Sequence, residues 1–555
     1  MDVTRDNFHE LYPILKEKLL TCKFLSFDEE MSGINGTDPL QRYKKDDIPN
    51  TRYTKMRSIA TKYSIIQFGI CFFHDSPEGE DGFIASPYNF YLFPDYGTDI
   101  VVSASSIDFL RKNKMDFGTW IGKGIPFVDS KGEEWLRKKY SMNEVKETTV
   151  PTPDSKKLMT LSRQSDLDFM KTNFQLFDEF LKDSSSDIFE FQECNSYLRR
   201  YIYQQIETVY VNEVILKKSD QGNSLCAYKI SKESQSQHLR QQQLQREKEF
   251  STAMGFRLLF NDLVSSKKPI VGHNNWFDLL FMMRWFDSPL VEDFDEFRQY
   301  LNSQFPLIFD TKYIESSGLI TDPSLDTYLE QCYLKYLNKS KLPISIHTDC
   351  HSFNPSDANY HNAGYDAYCT GYIFANQIYN SNGSYQQIQD STTPDVIFES
   401  ARNKIFCMHS LFDVNLNPNA PSGLSKYQNQ TLLRVSNFPK EVKTETFLSV
   451  ESNTKYEVNL EVVWIDDFSL FLVFPCREAN DERIVNYKKL APSEWIFGSL
   501  EDFLSPPRSD NRMEEVAASI HRSSSPIPEN PSILSRAVSA ILSPFRWASN
   551  DQVSA

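Results

Sequence analysis

The segment Lys23-Phe-Leu-Ser-Phe-Asp-Glu-Glu-Met-Ser-Gly33 is a short apolar run that ends in a cluster of acids. If residues 24–27 form a buried strand, successive side chains alternate between the two faces, so Asp28 and Glu30 share one face and Glu29 lies on the other. Two carboxylates this close repel each other, and a divalent cation between them removes the repulsion. The segment therefore predicts a strand that ends in either a metal site or a pair of solvated turn acids.

The composition is that of a soluble protein with several packed cores. The chain has 555 residues, of which 40% are hydrophobic, a length typical of roughly three to four domains. Its nine cysteines contain no Cys-x-x-Cys pair, as expected of reduced thiols in the cytoplasm or nucleus. We find no apolar stretch of about 18 residues, so the sequence predicts no membrane span.

The net charge of −16 at first disfavours a polyanionic partner, but net charge does not fix the sign of one groove. Residues 42–62 are locally basic and contain only two acids, Asp46 and Asp47. The cations of this segment are Arg42, Lys44, Lys45, Arg52, Lys55, Arg57 and Lys62. The segment is either a basic strip that suits a phosphodiester substrate or a solvated loop.

The pattern of strands and helices predicts an α/β fold. A long β-branched and aromatic run at 63–73 indicates a buried central strand, and 88–93 indicates another. Residues 7–20 have helical spacing interrupted by Pro13, and 105–113 begin a further helix. Residues 268–278 combine a short strand, a Gly-His-Asn turn and a helix, and the next strand ends at Asp310. We expect a mixed sheet with helices on both faces.

Composition shifts divide the chain into five parts. Residues 1–164 and 251–415 form two halves of one α/β domain, with a charged, Pro-containing linker at about 130–165. They are separated by a small inserted α/β domain at 165–250. A compact α+β module follows at 428–500, and 505–555 is rich in Ser, Pro and Arg, as in disordered tails. Residues 533–547 of that tail either form an amphipathic helix for a protein partner or have no such role.

Three acid-bearing motifs stand in order along the chain: Asp28-x-Glu30, Asn274-x3-Asp278 and His361-x-Ala-Gly-x-Asp366. Four carboxylates can hold two Mg²⁺ ions, which in such sites lie roughly 3.5–4 Å apart. Mn²⁺ is a possible substitute because both ions favour oxygen ligands. A histidine whose pKa is near neutrality suits a general base, the role expected of His361.

This order resembles the DEDD exonuclease superfamily, in the subclass with a histidine five residues before the last aspartate. Within it, the sequence is similar to the poly(A)-specific ribonuclease (PARN) family, including its small-RNA-trimming relatives. The stretches that carry the resemblance include Phe27-Asp-Glu-Glu-Met-Ser-Gly-Ile34, Ile66-Gln-Phe-Gly-Ile-Cys71, Phe309-Asp-Thr-Lys312 and His361-Asn-Ala-Gly-Tyr-Asp-Ala-Tyr368. The resemblance implies a ribonuclease-H-like nuclease domain split by an inserted domain of the Arg-x3-His type and followed by an RRM-like module.

The resemblance also implies roles outside the acid motifs. Lys312 would contact RNA beside His361, and Trp464 would stack on an mRNA cap, with core packing as the alternative. A homodimer is expected from the family. The inserted domain departs from its motif because Arg199 is followed four places on by Tyr203, which leaves RNA binding by this domain open.

The predicted activity is that of a Mg²⁺-dependent 3′→5′ exoribonuclease that degrades single-stranded RNA 3′ ends, with poly(A) as the expected substrate and 5′-monophosphates as products. Trimming of small-RNA precursors is one alternative, and an RNA-binding scaffold with an inactive nuclease fold is another. A zinc set of His347, Cys350, His351 and His361 competes for the last histidine but lacks regular ligand pairs. The expected compartment is the cytoplasm, the nucleus or both.

Overall fold

The computed structural model of the chain describes most of its length. The described residues are 1–35, 42–45, 47–77, 82–94, 99–140, 142, 159–183, 186–210, 213–218, 224–229, 232–319, 327–380, 396–427, 430–454, 460–475 and 480–500. The tail predicted at 505–555 lies outside them. Two compact units are found, Met1–Gln428 and Asn429–Ala555.

The strands are numbered in chain order. They are β1 (Asp2–Val3), β2 (Phe24–Met31), β3 (Ile65–Asp75), β4 (Phe83–Tyr91), β5 (Ile188–Glu190), β6 (Val214–Lys218), β7 (Leu225–Lys229), β8 (Ile270–Gly272), β9 (Ile308–Asp310), β10 (Ile344–Ile346), β11 (Lys404–Ile405), β12 (Phe412–Asn415), β13 (Gly423–Ser425), β14 (Thr431–Ser436), β15 (Glu461–Asp466), β16 (Ser469–Phe474) and β17 (Ile496–Ser499).

The helices follow the same convention. They are α1 (Phe8–Thr21), α2 (Pro49–Lys62), α3 (Ala104–Lys112), α4 (Phe117–Lys123), α5 (Ser130–Lys139), α6 (Gln164–Lys182), α7 (Ser196–Thr208), α8 (Lys232–Met254), α9 (Phe256–Ser266), α10 (Trp276–Phe286), α11 (Phe294–Gln304), α12 (Thr311–Ser316), α13 (Leu329–Lys339), α14 (Ala363–Asn380), α15 (Val396–Ala401), α16 (Thr444–Ser452) and α17 (Asn480–Leu490). Among the described helices, none is long and apolar enough to cross a bilayer.

A mixed seven-stranded sheet is the centre of the first unit. Its order is β1-β4-β3-β2-β8-β9, and β10 also pairs with β4. Strand β3 is antiparallel to β2 and β4, whereas β8 runs parallel to both β2 and β9. The carboxyl ends of β2, β8 and β9 therefore meet at one edge, the place where ligands bind to parallel sheets. The expected mixed α/β sheet with flanking helices is confirmed.

Both faces of this sheet are buried, because neighbouring strand residues belong to different cores. Phe24 and Phe73 join a cluster with α13 and α14, whereas Leu25 and Phe72 join a cluster with α1, α2, α9 and α10. Alternation of side chains along a strand produces this division. It also explains why β2 and β3 are near-continuous apolar runs.

Three local expectations need correction. Helix α1 runs through Pro13 without interruption, because a single proline removes only one backbone hydrogen bond and α1 packs against α9. The basic segment is not a solvated loop throughout, since its second half is α2, in which Arg52 is buried. The linker begins with α5, which is capped by the Asp129 carboxylate at the Gly132 N–H and carries an ion pair between Glu133 and Arg137.

The segment predicted as an insertion has its own small core. Strands β5, β7 and β6 form an antiparallel sheet in that order. Helices α6 and α7 cover it through aromatic and aliphatic side chains that include Phe177, Phe180 and Ile202. The polar helix α8 then leads back to α9 and the main sheet.

The second unit is an α+β arrangement. Its antiparallel sheet has the order β15-β16-β14-β17. Helix α16 lies between β14 and β15 in sequence, and α17 lies between β16 and β17. Leu433, Leu472, Phe447 and Tyr487 contribute to its core.

Candidate active site

Strand β2 supplies the first two carboxylates. Asp28 and Glu30 are half-buried on one face of the strand, as alternation predicts. Glu29 lies between them and is only 5% exposed, and neither of its carboxylate oxygens has a hydrogen-bond partner among the described residues. The β2 end therefore concentrates three acids, of which two share the face of interest.

Helix α10 supplies the third carboxylate. The turn before it places Asn274 in the left-handed region with φ 60°, a conformation that asparagine tolerates better than most residues. Asp278 lies in the first turn of the helix, is buried, and accepts a hydrogen bond from the Glu29 backbone N–H. This hydrogen bond connects α10 to the end of β2. Strand β8, which precedes the turn, pairs with β2 and so brings the two elements together.

Helix α14 supplies the fourth carboxylate by lying directly on the sheet. A Cβ at Gly69 of β3 would come within 1.8 Å of the Ala363 carbonyl oxygen, so only glycine allows the helix to begin there. The Ser26 hydroxyl donates to the Ala367 carbonyl at 2.6 Å and fixes the same turn on β2. Asp366 is thereby held in the first turn of α14, against the end of β2.

His361 precedes α14 in a strained backbone conformation. Its φ is 65°, in the left-handed region that non-glycine residues seldom adopt. Its backbone N–H donates to Asp366 Oδ2 at 2.9 Å, and its exposed ring makes an edge contact with Phe109, with 4.6 Å between ring centroids. The peptide and the ring are therefore both fixed relative to the acid cluster.

The four carboxylates form one electrostatic group. Burial and then the charges of Asp366, Asp278 and Glu30 raise the pKa of Asp28, and burial, Asp366 and Asp278 raise the pKa of Glu30. Burial raises the pKa of Asp278 and that of Asp366 to about 7. Like charges held together in this way make the protonated or cation-bound state favourable.

The donor set fits a hard divalent cation. Ligand atoms of Glu30, His361 and Asp366 all lie within 4.8 Å of one another. Asp366 Oδ1 is buried and has no hydrogen-bond partner among the described residues. A cation would neutralise the repulsion and satisfy this oxygen. His347, Cys350 and His351, the other members of the predicted zinc set, join no such group within the described part of the chain.

The other two predicted site residues lie in packed surroundings. Lys312 is 6% exposed, and its Nζ donates to the Thr327 carbonyl at 3.1 Å between the rings of Tyr328 and Phe406. Trp464 is in the second unit and half-buried, and its Nε1 donates to Thr444 Oγ1 at 2.9 Å. The RNA and cap contacts expected of these two residues stay predictions.

Sequence reasoning missed the roles of Asp310 and Phe109. Asp310 is fully buried and accepts hydrogen bonds from the backbone N–H groups of four residues. They are Asn274, Lys312, Tyr313 and Phe406. An aspartate directly before a helix is a cap signal that could have indicated this. Phe109 lies in the helix predicted at 105–113, and its contact with His361 spans about 250 residues of sequence, which no local pattern reveals.

His273 is a buried histidine beside the same turn. Its Nδ1 lies 2.8 Å from Thr311 Oγ1 and its Nε2 lies 3.0 Å from the Thr327 carbonyl. Burial and the Lys312 charge lower its pKa to about 3. His273 is therefore a neutral hydrogen-bonding residue that joins the Gly-His-Asn turn to the segment before α13.

Comparison with known proteins gives consistent matches. The model of the CAF1 family ribonuclease matches residues 3–374. "Poly(A)-specific ribonuclease PARN" of Xenopus laevis is 27% identical over 522 residues, which cover 89% of this chain and 80% of that protein. "Pre-piRNA 3'-exonuclease trimmer" of Bombyx mori is 29% identical over 391 residues, covering 67% and 70%. "Poly(A)-specific ribonuclease PNLDC1" of Mus musculus is 29% identical over 390 residues, covering 67% and 70%.

Proposed function

Since the chain belongs to the CAF1 family of ribonucleases and is a 3′→5′ exoribonuclease, we propose that it removes nucleotides from single-stranded RNA in a divalent-metal-dependent reaction, with poly(A) as its substrate. The family and enzyme class predicted from the motif order are confirmed. The observation that carries the proposal is the convergence of Asp28, Glu30, Asp278 and Asp366 in one cluster with His361 at its rim.

In the proposed reaction the four carboxylates would hold two divalent cations, Mg²⁺ by preference and Mn²⁺ as a substitute. When bound, such ions polarise the attacking water and stabilise charge on the scissile phosphate and the leaving 3′ oxygen. Cation binding would also remove the repulsion among the carboxylates. This region should therefore be more ordered when cations are bound. The products would be 5′-monophosphates.

His361 takes the proton of the attacking water in this proposal. Partial burial lowers the pKa of its imidazole below the usual 6.5, so the ring is neutral near pH 7 and can accept a proton. The hydrogen bond from the His361 backbone N–H to Asp366 Oδ2 keeps the residue beside the acids. Phe109, 46% exposed, limits the ring's rotation and offers an apolar wall to the terminal base.

A matched set of RNAs tests the proposal. The wild type is expected to shorten a 5′-labelled oligo(A) with a free 3′-OH one nucleotide at a time, to release AMP, and to stop in EDTA. The same RNA with a 3′-phosphate is the control. If the wild type binds RNA yet releases no nucleotide in Mg²⁺ or Mn²⁺, the chain is the scaffold with an inactive nuclease fold.

A second candidate substrate is a small-RNA precursor. The similarity to the trimmer of Bombyx mori at 29% identity favours it, while the similarity to PARN of Xenopus laevis favours poly(A). A mixed-sequence 3′ tail separates the two substrates. A deadenylase should slow sharply when adenosine ends, whereas a trimmer should continue at a similar rate.

The second unit is proposed to be the RRM-like module. Two features support this proposal: the strand order, and the positions of the helices. One helix lies between the first and second strands in sequence, and the other lies between the third and fourth. Cap binding by Trp464 would add a ligand to it, although the indole already packs edge-on against Phe438 and Phe447. A methylated guanine cap should quench the fluorescence of the wild type but not that of Trp464→Phe. Quenching that survives in the variant would exclude this tryptophan.

Assembly and location complete the proposal. We propose a homodimer, as the family resemblance implies, and a groove of about 300 Å³ on the inserted segment offers a surface for it, lined by Leu167, Phe174, Tyr201 and Val209 among others. Light scattering that gives a monomer mass at micromolar concentration would contradict it. The proposed compartment is the cytoplasm, the nucleus or both, and we also propose a protein partner for the tail.

A further inference from the structure

A basic loop lies next to the acid cluster and has no part in the chemistry proposed above. The loop Phe406–Ser410, here called the basic loop, joins β11 to β12. The Phe406 N–H donates to Asp310 Oδ2 at 2.9 Å, and Asp310 Oδ1 accepts from the Asn274 N–H at 2.9 Å. Asn274 begins the turn that carries Asp278. One carboxylate therefore separates the basic loop from the residues that hold the catalytic acids.

Cations from four different segments surround this loop. Burial and then the charges of Arg52, Lys45, Lys426 and Lys312 lower the pKa of His409. These residues come from α2, the segment before α2, the residue after β13, and α12. Cations brought together in this way repel one another. The repulsion lowers the stability of the folded protein unless acids or a ligand offset the charge.

Acids offset only part of this charge. Asp47 pairs with Arg52 at 3.6 Å and with Lys55 at 2.6 Å. Asp413 pairs with Lys426 at 3.2 Å. Within the described part of the chain, Lys45 forms no ion pair with an acid, so positive charge remains at the loop surface.

Hydrogen bonds from neighbouring segments fix the backbone of the basic loop. Arg52 is buried and donates to the carbonyls of Met408 and His409 at 3.2 and 2.9 Å. Lys426 donates to the Cys407 carbonyl at 2.7 Å and lies over the Phe406 ring at 3.9 Å. The Lys45 carbonyl accepts from the Leu411 N–H at 2.8 Å. A fixed loop loses little conformational freedom when it binds a ligand.

The surface that the loop presents has the chemistry of a nucleotide site. Met408 is 40% exposed, His409 is exposed in the left-handed region with φ 52°, and Lys45 is half-buried beside them. A neutral imidazole can donate a hydrogen bond to a phosphate oxygen, and a lysine supplies charge. An exposed thioether offers apolar contact to a base.

We infer that the basic loop, with Lys45 and His409, binds the RNA backbone upstream of the 3′-terminal nucleotide. The inference rests on the proposed function, since it needs an RNA whose 3′ end lies in the acid cluster. Phosphates of the next few nucleotides would pass the Asp310 turn to reach the loop. The site would add affinity for longer RNA without taking part in bond cleavage.

Oligo(A) of two lengths tests this inference. We compare A3, expected to occupy the acid cluster alone, with A15 for the wild type, Lys45→Gln, His409→Asn and the double variant that combines both substitutions. Asparagine is chosen because it tolerates the left-handed backbone. The ratio of kcat/KM for A15 to that for A3 should fall about tenfold in the double variant. The slope of log KM for A15 against log salt concentration should decrease by about 0.7 for each lost phosphate contact.

The matched control is Lys138→Gln on α5, which removes the same charge from an exposed lysine whose partner is Glu134. It should leave the A15 to A3 ratio and the salt slope unchanged. Melting curves establish that each variant is folded. Binding of fluorescent A15 in EDTA gives a second readout that does not depend on cleavage.

The outcomes separate the two proposals. If the wild type cleaves A15 but the double variant keeps the wild-type ratio, salt slope and EDTA affinity, the basic loop does not bind RNA and the proposed function stands. If the variants bind A15 normally but lose affinity for an acidic peptide, the loop serves a protein partner instead. If the wild type neither cleaves nor binds RNA, both proposals fail.

Discussion

Asp310 and Asp366 are buried aspartates at the same edge of the main sheet, but their surroundings differ. Asp310 accepts from four backbone N–H groups. Asp366 accepts one hydrogen bond, from His361, and its Oδ1 has no partner among the described residues. Burial raises both pKa values, to about 6 for Asp310 and about 7 for Asp366. A carboxylate satisfied by the backbone builds the site, whereas one left unsatisfied is available to a ligand.

The largest expected effect separates these two roles at once. Asp366→Ala should reduce cleavage of oligo(A) by about 10⁴-fold, the factor that corresponds to roughly 5.5 kcal/mol of lost transition-state stabilisation. Asp28→Ala should reduce cleavage by a similar factor. The metal-free melting temperature should not fall, because one of several repelling charges is removed. Wild-type cleavage by either variant in Mg²⁺ would remove these residues from the site.

His361→Ala tests the neighbour of Asp366 and should cost about 10²–10⁴-fold in kcat, the usual contribution of a general base. Because the pKa of His361 is lowered, its active neutral form increases as pH rises through a value below 6.5. The wild-type rate should therefore rise over that range, and the variant profile should flatten. Equal pH profiles for the two proteins would mean that another group accepts the proton.

Asp310→Ala should instead affect mainly stability. Four backbone N–H groups would lose their acceptor, and an unsatisfied buried donor costs about 1–3 kcal/mol. We expect the melting temperature to fall by roughly 5 °C or more, with a smaller loss for Asp310→Asn, whose amide oxygen still accepts. If Asp310→Ala melts like the wild type but loses all cleavage, Asp310 acts as a ligand and the comparison fails.

The smallest expected effect is a pH dependence of metal-free stability. Asp278 and Asp366 titrate near 7 in the folded protein but near 3.9 when unfolded. The folded state therefore binds more protons between these values, and its stability falls as pH rises through that window. Melting temperatures in EDTA should be a few degrees lower at pH 7.5 than at pH 5.5. Asp366→Asn should reduce this difference, and Mg²⁺ should reverse it; an unchanged slope in the variant would show that other groups cause it.

The sequence was sufficient for the strand that carries Asp28 and Glu30, because alternation along a strand is local and its apolar run is long. The order of the three motifs was also sufficient to predict the family. By contrast, α2 and α5 were missed as helices because both are highly charged. Helix α2 has no capping side chain and buries Tyr53, Met56 and Ile59 in the core, whereas α5 is capped by Asp129.

Local propensity could not distinguish Asp310 from Asp366, since each is an aspartate next to a predicted element boundary, and only the motif order indicated Asp366 as a ligand. The distinction depends on which backbone donors reach the carboxylate, and these come from residues 36 and 96 positions away from Asp310. The same holds for Phe109 beside His361 and for the cations around the basic loop. Residue type and local spacing determined the chemistry available to this protein, while long-range packing alone decided which charged groups are satisfied internally and which remain available to bind a ligand.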